Sequence, residues 1–177
     1  MENRIFKVYC DGSCWNGKPE QPMGLRISYF LDDIHLPKYD KAVKITWEEA
    51  GKVTTSILAE LEAVIIGRNS LKEVLADLSK TEVIGPETKF IIYSDNQWVI
   101  DALNYAVFTT KPHLEKKIKN LQKLDKTNIT FEWISRNSNA RSNELSREAL
   151  GKQLLGKDKK SALNKDLIIN DILNKIV

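Results

Sequence analysis

The sequence predicts an α/β domain built on a five-stranded mixed sheet, three antiparallel strands followed by two parallel ones, with helices flanking it. Three observations carry this prediction. The first third of the chain offers strand-like segments with no helical period between them. From Thr55 the apolar spacing changes to that of a helix, with Leu58, Leu61, Ile65 and Leu71 on one face. Two later apolar strand patterns are each reached through helical segments, the arrangement that parallel crossovers need.

Ile5 to Cys10 reads as the first strand, Leu25 to Leu31 as the second and about Ala42 to Trp47 as the third, with Asp32-Asp33 as a turn signal between the last two. Sequential strands of this kind favour an antiparallel meander. Thr54 or Thr55 can cap the first helix, and Glu60 falls in its second turn. Residues 76–87 contain Gly85-Pro86 and read as a loop. Lys89 to Tyr93 is a buried-strand pattern followed by Ser94-Asp95-Asn96 and a helical run to about Leu103. Asp95 is therefore expected at the C-terminal end of a strand, where open α/β sheets place their sites.

Residues 111–126, KPHLEKKIKNLQKLDK, hold six lysines, with Leu114, Ile118, Leu121 and Leu124 at helical spacing. This gives a helix with one buried stripe and one basic face, which either meets phosphates or is simply solvated. Ile129 to Ile134 follows as a fifth strand, then the polar loop Ser135 to Ser142, then a helix from about Asn143 to Leu155. We take 1–156 as one domain and 157–177 as a C-terminal amphipathic helical tail carrying Leu167, Ile168, Ile172, Leu173 and Ile176.

A chain of 177 residues can bury a core without disulfides or a structural metal. Its longest apolar runs fall far short of a membrane span, and Met-Glu-Asn-Arg-Ile-Phe lacks the basic and apolar regions of a secretory signal. A cytoplasmic monomer is the expectation. Cys10 and Cys14 flank Asp11, where a disulfide would distort the strand end, so both read as thiols. Zinc is disfavoured because no second Cys or His pair follows them. The net charge of +3 does not by itself argue for nucleic acid.

Four polar stations remain: Asp11, Glu60, Asp95 and Asn143. Singly, the three acids read as a turn cap, a solvated helix residue and a helix N-cap. Convergent carboxylates repel one another, and hard oxygen ligands suit magnesium or manganese between them. The stretch Tyr9-Cys10-Asp11-Gly12-Ser13-Cys14 resembles the first-strand signature of type 1 ribonucleases H, and Ala59-Glu60-Leu61-Glu62-Ala63 resembles their acidic helix motif. Tyr93-Ser94-Asp95-Asn96 before a helix is similar to the third station. Asn139-Ala140-Arg141-Ser142-Asn143-Glu144-Leu145-Ser146 is similar to the closing motif, with Asn143 at the place of an aspartate.

The resemblance covers roughly residues 4–155 and implies the ribonuclease H-like fold, RNA–DNA hybrid as partner, and cleavage of its RNA strand with two magnesium ions per site, for which manganese can substitute. It implies that Asp11 bridges the ions, that Glu60 and Asp95 complete the metal on the leaving-group side, and that position 143 helps hold the ion that activates water. An amide at 143 brings no charge and weakens that pull. Three accounts of Asn143 stand: a deliberately inactivated variant, an enzyme tolerant of Asn, or a non-catalytic module that binds hybrid or double-stranded RNA.

Candidate nucleic-acid contacts are Gly12, Ser13, Cys14 and Trp15 beside the first acid, with Ser56, Asn96, Trp98, Lys116, Arg136 and Arg141. Gly12, Ser13 and Cys14 are placed to read 2′-hydroxyls. Trp98 is offered equally as a stacking surface or a core residue. Arg136 and Arg141 suit phosphate or the capping of carbonyls, and Arg136 stands in a loop where the family often carries a histidine and this chain has none. Lys111, Lys116, Lys117 and Lys119, together with the loop near Trp15 to Lys18, would grip the substrate. Ile57 and Leu58 stand where the family usually has asparagines, which removes minor-groove contacts there.

Overall fold

Alternation of apolar residues in the first strand organises the sheet. In β1 (Ile5–Cys14), Phe6, Val8 and Cys10 point into the core and are fully buried. The chain is described by a computed structural model over residues 4–14, 20–81, 87–105, 111–123 and 129–139. β2 (Met23–Leu31) pairs antiparallel with β1 from Leu31 opposite Phe6 to Met23 opposite Cys14. On the other side of β1, β5 (Lys89–Ser94) pairs in parallel from Lys89 opposite Ile5 to Ser94 opposite Cys10, and β6 (Ile129–Trp133) extends the parallel half.

The first strand thus runs four residues past its expected end. Gly12, Ser13 and Cys14 are ladder residues, and Asp11 lies inside a strand instead of capping a turn. Cys10 and Cys14 are both buried thiols, as read from the sequence.

The third expected strand is preceded by a short strand that the sequence reading did not include. β3 (Ile34–His35) and β4 (Lys41–Ile45) both pair antiparallel with β2, at its two ends, so six strands fill five positions. Asp32 and Asp33, both with positive φ, turn the chain tightly from β2 into β3, as their short polar side chains allow. Between β3 and β4, Pro37 opens a 3₁₀ turn, Pro37–Tyr39. The Asp40 carboxylate fills the resulting gap. It accepts from the Tyr29 backbone N–H at 3.4 Å and from Arg26 Nη2 at 2.8 Å, and it pairs with His35 Nε2 at 3.0 Å.

α1 (Ser56–Leu78) starts at Thr55, whose hydroxyl accepts from the Leu58 N–H at 3.1 Å. Leu58, Leu61, Val64, Leu71 and Val74 are buried at helical spacing and cover one face of the sheet. Each such side chain contributes about 1.5–3 kcal/mol by leaving water. The helix continues through Leu78 into one 3₁₀ turn, Ser79–Thr81, so the first half of the segment read as a loop is helical. Leu75 and Leu78 pack on the core and draw the helix past the point where its periodicity faded.

α2 (Gln97–Tyr105) and α3 (Pro112–Lys123) follow β5. Leu114, Ile118 and Leu121 form the buried stripe foreseen for the basic helix. Among the described residues no helix is long and apolar enough to cross a membrane. The proposed closing helix and tail, with Arg141 and Asn143, and the Trp15 to Lys18 loop lie outside the described residues.

Asp40 is nearly enclosed, with Arg26 beside it only 15% exposed. Replacing Asp40 by Ala leaves that guanidinium without its anion and β2 without an acceptor. We expect a loss of about 2–4 kcal/mol of stability, measured from the shift of a urea unfolding midpoint, and a smaller loss for Asp40→Asn.

Candidate metal centre

The parallel ladder of β1 and β5 ends at Cys10 opposite Ser94, so the next residue on each strand, Asp11 and Asp95, leaves it side by side. α1 crosses β1 at this point at a distance only glycine permits. A Cβ at Gly12 would overlap the Ala59 carbonyl and the Glu60 nitrogen. A Cβ at Gly67, farther along the helix, would lie 2.8 Å from Cys10 Sγ. The two glycines seat the helix on the strand and aim Glu60 at Asp11.

Asp11, Glu60 and Asp95 present carboxylate oxygens that all lie within 4.8 Å of one another. Asp11 and Glu60 are buried, at 2% and 7% exposure, and the side chain of the partly buried Asp95 is 8% exposed. Removal from water and the two neighbouring carboxylates push the Glu60 acid well above its ordinary range, Asp11 acting more strongly than Asp95. Ser94 Oγ donates to Glu60 Oε2 at 3.3 Å, and the Gly12 N–H also donates to Glu60, both favouring the charged form. Burial and repulsion outweigh them. Enclosed acids in this state are short of positive charge, and the spread of their oxygens suits hard cations with ligand bonds of roughly 2.0–2.1 Å.

The other arm of the site is the turn after β6. Ile134 N–H donates to the Ser94 carbonyl at 3.1 Å, and Trp133 Nε1 donates to the Asp95 carbonyl at 3.1 Å. Asn139 is buried and donates through Nδ2 to the Cys10 carbonyl at 3.0 Å. Arg136 Nε stands 3.9 Å from Asp95 Oδ2 on a largely exposed side chain.

The remaining sequence candidates separate clearly. Gly12, Ser13 and Cys14 adjoin Asp11, but Cys14 and the Ser13 hydroxyl are buried. Asn96 Oδ1 accepts from the Val99 N–H at 3.2 Å, so Asn96 caps α2, the role considered for Asp95. Trp98 is half-buried against the core. Ser56 is exposed at the first turn of α1, and Lys116 is exposed on α3. Lys117 is tied to Glu62 at 2.5 Å and Lys119 to Glu115 at 2.6 Å, which narrows the basic face. Trp15, Arg141 and Asn143 fall outside the described residues.

Ser94, Trp133 and Asn139 were given no role from sequence. Ser94 had a usable signal, since Ile92 and Ser94 share the inward face and a hydroxyl there needs a partner.

A raised Glu60 acid carries a stability consequence with a definite sign. In the unfolded chain it ionises near its ordinary value of about 4.3, whereas in the fold it ionises later, so the metal-free protein loses stability as pH rises through that interval. Without divalent ions, Glu60→Gln is expected to match the native chain near pH 4 and exceed it at pH 8. Saturating magnesium reverses the order, since a ligand at 100 times its Kd stabilises by about 2.7 kcal/mol and the Gln form binds it poorly. Thermal unfolding at both pH values, with and without magnesium, checks this.

No family model matches the chain, and no curated protein does. Solved structures do match. LC11-RNase H1, isolated from compost by a metagenomic approach, is 22% identical over 85% of this chain and 98% of its own, with a TM-score of 0.62. LC11-RNase H1 in complex with RNA/DNA hybrid is 22% identical over 83% of this chain and 97% of its own, with a TM-score of 0.59. RNase H1 from the halophilic archaeon Halobacterium salinarum NRC-1 is 22% identical over 83% and 98%, with a TM-score of 0.61. These likenesses, read with the strand order β3-β2-β1-β5-β6 and the helix seated on β1, show that the chain has the ribonuclease H-like α/β fold.

Proposed function

We propose that this chain hydrolyses the RNA strand of RNA–DNA hybrids, leaving 3′-hydroxyl and 5′-phosphate ends, with magnesium or manganese as cofactor. The observation that carries the reading is the convergence of Asp11, Glu60 and Asp95, from a strand, a helix and the bend that follows β5, into one set of oxygens within 4.8 Å. Similarity in fold to a ribonuclease H1 solved with RNA/DNA hybrid supports the choice of substrate.

Asp11, Glu60 and Asp95 would hold the cations. Bound there, a pair of divalent ions would supply the charge that stabilises the attacking and leaving oxygens of an in-line displacement at phosphorus. The chain's own part is orientation. Ser94 and the Gly12 N–H hold the Glu60 carboxylate, Trp133 fixes the backbone of Asp95, and burial of all three acids strengthens their attraction for cations. Asn143, as the fourth ligand, would contribute an oxygen without a charge, so hydrolysis would be slower than with an aspartate there.

Asn143 also favours a second reading, a module that binds hybrid without cutting it. Cleavage of an end-labelled hybrid by the native chain and by Asn143→Asp, in magnesium and in manganese, separates the two. We expect slow native cleavage, a faster Asn143→Asp form, and a loss of roughly 10²–10³ in kcat for Asp11→Asn, the scale for removing one preorganised charge-stabilising group. An Asn143→Asp form that binds hybrid yet leaves it intact would sink the nuclease reading.

A further inference from the structure

Trp133, the last residue of β6, is an anomaly. It is 48% exposed, yet its one polar atom is spent on the backbone of a cluster residue, through the 3.1 Å bond from Nε1 to the Asp95 carbonyl. Register pairs Trp133 with Ser94 in the parallel ladder, so the indole leaves the sheet on the face from which the Ser94 hydroxyl donates to Glu60. The ring is therefore held at the edge of the carboxylates with a flat apolar surface toward solvent.

Its surroundings are rigid. The chain is pinned on one side by the Ile134 N–H on the Ser94 carbonyl and on the other by the buried Asn139 amide on the Cys10 carbonyl. Between the pins, Ser138 N–H donates to the Ser135 carbonyl at 2.9 Å and closes a tight turn. That turn carries Arg136, 72% exposed and 3.9 Å from Asp95 Oδ2. An exposed aromatic plane and an exposed guanidinium thus both meet Asp95, the indole at its backbone carbonyl and the guanidinium near its carboxylate.

We propose that Trp133 and Arg136 form a ledge that takes the nucleotide next to the phosphate held at the carboxylates, the indole stacking on its base or sugar and the guanidinium meeting the adjoining phosphate. The proposal rests on the hybrid-cleaving reading above and adds to it a specific contact surface. Aromatic faces stack nucleotides without regard to sequence, and a guanidinium matches phosphate geometry through paired donors. At 3.9 Å the Arg136–Asp95 pairing is long, and as cations occupy the cluster the guanidinium would turn toward a phosphate oxygen.

The test separates contact from folding. Binding of a fluorescent hybrid is measured in magnesium by anisotropy in an Asp11→Asn background, and kcat and KM are measured in the cleaving chain. Trp133→Leu is expected to bind about tenfold more weakly, the loss of one stacked base, and to raise KM more than it lowers kcat. Trp133→Phe keeps a ring and is expected to bind within about twofold of its parent. Arg136→Ala, on a side chain exposed enough to leave the fold intact, is expected to lower the salt dependence of log Kd by about one phosphate contact. Thermal unfolding of each variant shows that it is folded.

Affinity within twofold of the parent for a folded Trp133→Leu overturns the stacking role. An unchanged salt slope for Arg136→Ala overturns the phosphate role and, should Trp133→Leu fail to fold, the ledge with it. If the native chain and Asn143→Asp neither bind nor cut hybrid, the hybrid-cleaving reading and the ledge fall together. If the chain cuts hybrid while both variants bind as their parent does, the ledge alone falls.

Discussion

The close approach of backbone to backbone at Gly12 is the constraint on which the site depends. A side chain there would have to share space with the Ala59 carbonyl and the Glu60 nitrogen, so any other residue lifts α1 from β1. Lifting the helix parts Glu60 from Asp11 and withdraws the Gly12 N–H from the Glu60 carboxylate. It would also disturb the core beneath the helix, in which Leu61, Val64, Val8 and Ile27 are all fully buried. One missing methyl group thus serves the core and the metal centre together, and the fold can position a buried acid with the rigidity of its tightest contact.

That rigidity holds an arrangement electrostatics opposes. Three acids drawn from water and set against one another raise the free energy of the charged state, and at Glu60 burial and two charged neighbours together push the acid well above its ordinary range. Hydrogen bonds from Ser94 and Gly12 offset part of it. The apolar core formed by β1, β2, β5 and α1 supplies the stability that tolerates the rest. An arrangement that disfavours its own ionisation without cations is, by the same physics, one that attracts cations strongly.

Much of this was legible in the sequence. Strand and helix periods located β1, β2, β5, α1 and α3, and the order of acidic motifs joined three ordinary residues into one site. The errors have physical reasons. β1 was ended at Cys10 because Asp11-Gly12-Ser13 looks like a turn, whereas pairing with β2 carries the strand on to Cys14. The short β3 was not expected because two residues give no alternation to read, and propensity does not reveal that Asp40, fourteen residues from Arg26, supplies a side-chain acceptor beside β2. The helix cap weighed singly for Asp95 belongs to Asn96, because the two are adjacent and either can cap a helix. Trp133 and Asn139 were missed because their partners, Asp95 and Cys10, are distant in the chain, and nothing local marks such a bond.

The same division of labour clarifies position 143. The carboxylates that converge belong to β1, α1 and the residue after β5, and their placement follows from the β1–β5 register and the Gly12 contact. None of these depends on the identity of residue 143. On the proposed reading, an amide there would change the charge offered to a cation without dismantling the cluster. Affinity for cations and speed of hydrolysis would therefore, on that reading, be separable, the first set mainly by how tightly α1 sits on β1 and the second sensitive to one further charge.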